Sequence, residues 1–87
     1  MAKVVGEMLR QLGQTTQILC VTHQAQVAGQ GHHHFYVSKS AQSDSTVTSV
    51  QELRGAQIVK EVARMLAGEE LSDESLAHAQ QLVANLN

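Results

Sequence analysis

Apolar residues recur along this chain in two rhythms, and the changes of rhythm divide it into short elements. Val4, Val5, Met8, Leu9 and Leu12 fall three to four residues apart and Gly13 follows as a stop, so an amphipathic helix is predicted from about Ala2 to Leu12. No Ser, Thr, Asp or Asn stands ahead of it as a cap, which is unusual for an independent domain. After the polar Gln14-Thr15-Thr16, the run Gln17-Ile18-Leu19-Cys20-Val21-Thr22 is continuously apolar at its centre, the pattern of a strand buried on both faces. Such a strand needs a neighbour on each side, and alone it presents an adhesive edge.

His23 ends that run, and Gln24 to Ala28 has room for about one helical turn before Gly29-Gln30-Gly31 breaks it. His33 to Lys39 and Thr46 to Leu53, rich in β-branched residues and separated by the polar stretch Ser40 to Ser45, read as a hairpin. Helical spacing returns with Ile58, Val59, Val62, Met65 and Leu66 and stops at Gly68. Ser72 is the predicted cap of a last helix, with Asp73 and Glu74 in the first turn, where the helix dipole favours acids. Its apolar face comprises Leu76, Ala79, Leu82, Val83 and Leu86, and Glu69-Glu70 falls in the turn before it. The expected class is therefore α/β: helix, buried strand, short helical turn, hairpin and two C-terminal helices.

Composition narrows this picture. A chain of 87 residues makes at most one small domain, which buries only roughly 60 to 65% of the surface its unfolded form exposes. Phe35 and Tyr36 are the sole aromatics, so aliphatic side chains must fill a thin core. The apolar runs fall far short of the ~18 residues of a membrane span and no basic-then-apolar leader opens the chain, so a cytoplasmic location is expected. Cys20 has no second cysteine to pair with and is expected to be a small buried hydrophobe. Net charge is -2 and the six cations are dispersed, which argues against direct DNA binding by this segment.

The position of His23 carries the most chemistry. In open α/β sheets ligands bind off the carboxyl ends of the strands, and His23 stands at such an end. Imidazole can donate a hydrogen bond to a terminal phosphate, and phosphoryl transfer is catalysed largely by such positioning and electrostatic stabilisation. His32-His33-His34 suggests metal binding, but on a strand only His32 and His34 would share a face, and no Cys or carboxylate lies close in sequence to complete a site. His78 and the Lys60/Arg64 pair are expected on solvated helix faces. Neither a carboxylate acid/base pair nor a Ser or Cys nucleophile beside a base is recognisable.

Thr22-His23-Gln24 followed by Gln26-Val27-Ala28 resembles the switch, or H-loop, of the RecN family of SMC-like, ABC-type ATPases, in which the run reads Thr-His-Gln-Pro-Gln-Val-Ala. Val5 to Leu12 resembles the helix after the D-loop, His34 to Lys39 the next strand, and Glu61-Val62-Ala63-Arg64-Met65-Leu66-Ala67-Gly68 the family's Glu-Ile-Ala-Arg-Met-Leu-Gly-Gly segment. The likeness runs from about Lys3 to Leu86. Ala25 replaces the usual Pro, and Ile58 stands where an Arg is expected.

The resemblance implies that residues 1–87 form a single fragment, the C-terminal lobe of a P-loop ATPase head. His23 would then be its catalytic and nucleotide-contacting residue, acting on ATP and Mg with the rest of the head and a second protomer. It also implies recombinational repair of double-strand breaks, with DNA reached through the full-length protein and a nucleoid-associated location. No G-x-x-x-x-G-K-[ST] loop, Ser-Gly-Gly signature or apolar strand ending in Asp-Glu is present, so no ATP turnover is expected of this chain alone. A chain cut from its sheet is expected to self-associate. The alternative from another class is a free-standing α/β interaction or regulatory module, with the His cluster as a metal site.

Overall fold

The computed structural model describes residues 1–68 and 70–84. It is built from α1 (Ala2–Leu12), α2 (Ala25–Ala28), β1 (His34–Gln42), β2 (Ser45–Leu53), α3 (Ala56–Ala67) and α4 (Asp73–Leu82). The predicted helices and hairpin are all present. The predicted turn at Glu69 and the apolar position Leu86 lie outside the described residues.

The core sits where α2, α3 and α4 meet. Ile58, Val59, Val62 and Ala63 of α3 pack with Ala25, Ala79 and Val83, and Leu53, Met65, Leu66, Leu76 and Leu82 close over them. Ala63 and Ala79 are fully buried small residues, which lets the helices approach closely and compensates for the lack of large side chains. Ile58 is itself a core residue, so the position expected to hold an Arg serves packing here. Ser72 caps α4 as predicted: its Oγ accepts the Ser75 N–H while Ser75 Oγ accepts the Ser72 N–H, a reciprocal capping box.

β1 and β2 pair antiparallel from His34↔Leu53 to Gln42↔Ser45, so the turn is only Ser43-Asp44, with Ser43 left-handed at φ 49°. The ladder thus extends through much of the loop expected at Ser40 to Ser45. Leu53 anchors the hairpin base to the core, while the face carrying Phe35, Val37 and Val50 is exposed.

Two expectations are corrected. Gln17 to Thr22 is not a strand: among the described residues the sheet has only β1 and β2, and without a neighbour to receive its backbone hydrogen bonds this run stays irregular. Leu19 is 90% and Val21 96% exposed, and Cys20 is exposed rather than buried, because no second layer covers the run.

The apolar stripe of α1 is also left in solvent, with Val4, Val5, Met8 and Leu12 all roughly half exposed or more. The helix instead packs through the adjacent face that carries Gly6, its one buried residue. A Cβ on Gly6 would lie 2.8 Å from the Gln26 carbonyl oxygen, so glycine permits this close helix crossing. No described helix is long and apolar enough to cross a membrane.

Candidate functional site

His23 occupies a bend between the irregular run and α2. Thr22 closes the bend: its Oγ1 accepts the Gln24 N–H at 3.0 Å, a local side-chain-to-backbone bond that Thr commonly supplies in turns. Gln24 is extended, and its carbonyl accepts the Val27 and Ala28 N–H groups to start α2. The His23 imidazole projects into solvent and has no hydrogen-bond partner among the described residues, so its ring nitrogens are available to an external group.

The four-residue α2 makes a stable mount for that bend because almost every element holds it. Ala25 is buried against the core. Gly6 of α1 lies under Gln26 and Val27, and the Arg10 guanidinium donates to the Gln30 carbonyl at 2.8 Å. Gly29 accepts the Ala84 N–H at 2.8 Å, and a Cβ there would come within 2.5 Å of the Leu82 carbonyl oxygen.

From the hairpin, His34 Nε2 donates to the Ala28 carbonyl at 2.8 Å. That bond leaves Nδ1 unprotonated and buried, with no partner among the described residues. Burial, ahead of the nearby His33 and Arg10 charges, lowers the His34 pKa below its ordinary 6.5 although the Ala28 bond opposes the shift.

The three adjacent histidines are not brought together as ligands. His32 and His33 lie in an exposed bend before β1, and His34 is turned inward on its Ala28 bond. No group of three or more His, Cys, Asp or Glu converges to hold a metal among the described residues. His33 instead comes within 3.7 Å of Glu52, which also binds Arg54 at 2.8 Å. These groups border an open cleft of about 620 Å³ with Arg10, His32 and Ile58.

Lys60 and Arg64 are exposed, as expected, but Arg64 is engaged: it binds Glu61 and lies 6.0 Å from the Tyr36 ring centroid. His78 is exposed on α4. Sequence reasoning singled out His23, with Thr22 beside it, as the candidate, but did not foresee the contacts that Thr22, Gly6, Gly29 and His34 make around it. Only the Thr immediately before the histidine carried a local signal, since Gly6 and Gly29 meet residues distant along the chain and His34 reaches Ala28 from a different element.

No family model matches the chain. It is 45% identical over 82 residues to the DNA repair protein RecN of Vibrio cholerae and, again over 82 residues, 45% identical to that of Haemophilus influenzae. Identity to the RecN of Bacillus subtilis is 34%, also over 82 residues. Each comparison covers 94% of this chain but only 14 to 15% of the relative, so the chain spans about 15% of the length of the curated relatives it matches.

Proposed function

The chain is homologous to the DNA repair protein RecN along nearly its whole length, and from that premise we propose that it works as the C-terminal lobe of a RecN-like ATPase head. In this reading His23 is the switch histidine, completing an ATP site formed with the rest of the head and a second protomer. One observation carries the proposal: the Thr22-His23-Gln24 bend, which leads into the firmly held α2, presents an imidazole with no partner among the described residues, at the end of an apolar run that none of them covers.

The residues present fit ATP through a single contact. His23 can donate to a terminal phosphate oxygen and orient an attacking water; this chain has no G-x-x-x-x-G-K-[ST] loop to cradle phosphates and no apolar strand ending in Asp-Glu to hold Mg. ATP, when bound by the remaining elements, supplies the phosphoryl group. The uncovered faces of α1 and Gln17 to Thr22 are the surfaces on which the rest of the head would pack. DNA would be reached by other parts of the protein in double-strand-break repair, since Arg54 and Arg64 are paired with Glu52 and Glu61.

The test is made in the longer protein that carries this segment. His23→Ala should leave binding of a fluorescent ATP analogue largely intact while lowering turnover roughly 100-fold, the usual effect of removing one transition-state donor. Unchanged turnover would remove the role assigned to His23.

A further inference from the structure

With His23 read as the switch histidine, on which this inference rests, we propose that His34 is its positioning residue: the hydrogen bond from His34 to α2 fixes the bend that carries His23. A series of hydrogen bonds joins the two. His34 Nε2 donates to the Ala28 carbonyl at 2.8 Å, the Ala28 N–H donates to the Gln24 carbonyl at 3.0 Å, and the Gln24 N–H donates to Thr22 Oγ1 at 3.0 Å. Thr22 and Gln24 flank His23 in the chain, so the series ends on either side of it.

A helix as short as α2 cannot hold its own place. Isolated helices below about 12 residues are marginal in water, and α2 has only 4, so its position is set by what grips it from outside. The last carbonyls of a helix lack partners within it. That of Ala28 accepts from the Gly31 N–H at 3.2 Å, a bond within the same stretch of chain that travels with α2, and more closely from His34, which belongs to another element. The hairpin base is a firm anchor for that bond: His34 pairs with Leu53 in the ladder, and Leu53 packs on the core. A carbonyl oxygen only accepts, so Nε2 must carry the ring proton, and the position requires a donor of this reach rather than a charge. The Nδ1 left buried without a partner among the described residues points the same way. A leucine of similar size would avoid the cost of that orphaned nitrogen, so the bond from Nε2 is what the imidazole contributes here.

ATP turnover by the longer protein that carries this segment tests the role, with Val59→Ala in the α3 core as a control for plain loss of stability. His34→Leu is expected to lower kcat roughly tenfold and to leave KM for ATP within about twofold, as for a group whose effect appears only in the transition state. His34→Asn, too short to reach Ala28, should match it and stands in its place if the leucine variant does not fold. His34→Gln, whose amide can donate to Ala28, should recover most of the rate, and Val59→Ala should keep the native rate per folded molecule. Once His23 is replaced by Ala, His34→Leu should cost nothing further, because the two act as a unit. Native kcat in His34→Leu or His34→Asn, an equal loss in His34→Gln or Val59→Ala, or a full further loss in the His23→Ala background would each overturn the positioning role and leave the His23 reading in place. Unchanged turnover in His23→Ala alone would overturn both.

Discussion

Helices α1 and α3 are equally amphipathic in sequence, yet they meet opposite fates. On α3 the stripe Ile58, Val59, Val62 is buried to 9% exposure or less, whereas on α1 the stripe Val4, Val5, Met8 is 46 to 59% exposed. The difference is the presence of a facing layer: α4 and Ala25 cover α3, while α1 touches the rest of the molecule on its glycine face. Hydrophobic periodicity therefore reports that a face is made to be covered, and says nothing of what covers it. The apolar stripe of α1, like Leu19 and Val21, is therefore left uncovered among the described residues.

The contrast is sharpest under a matched pair of substitutions. Val62→Asp places an unpaired carboxylate among fully buried aliphatic side chains and should cost about 4 kcal/mol or more, leaving the chain unfolded. Met8→Asp, measured by urea unfolding at a concentration where copies are apart, should change stability by about 0.5 kcal/mol or less, because that side chain already lies in water. Comparable losses for the two would mean that the α1 stripe is covered within the single chain and would end the comparison.

A smaller effect tests how α1 is attached. Gly29→Ala directs a methyl group into the Leu82 carbonyl, so α2 must move off α4, at a cost of about 1 to 3 kcal/mol. Since α1 packs chiefly on α2, hydrogen exchange should accelerate in α1 and around His23 while α3 keeps its protection. Uniform loss of protection would show one cooperative unit instead of a core with an appended helix.

The same contrast explains what the sequence made legible. α3 and α4 were readable because each finds its partner within the chain and Ser72 advertises its own cap. The composition of Gln17 to Thr22 suits a strand, but pairing is a property of two segments and no described segment pairs with this one. The hairpin turn was placed too broadly since Ser43-Asp44 lacks the glycine that marks a two-residue turn. His23 was visible through the wording around it, whereas its supports at Gly6, Gly29 and His34 are contacts across 20 to 55 positions or between elements, with no local spacing to announce them.

The smallest effect concerns His34, which joins the hairpin to α2, the helix that follows the His23 bend. Its folded pKa lies below 6.5 because burial, aided by the His33 and Arg10 charges, disfavours the imidazolium. The unfolded chain therefore binds more protons as pH falls through 6.5, and the fold loses stability over that interval. The contribution is fully present above pH 6.5 and disappears once the pH drops beneath the folded value. Protonation would also turn Nδ1 into a buried donor facing no acceptor among the described residues. Urea midpoints at pH 7.5 and 5.0 should thus diverge more for the native chain than for His34→Gln, whose amide can still donate to Ala28 but cannot titrate. Equal divergence would show that protonation of His34 does not set the acid sensitivity of the fold.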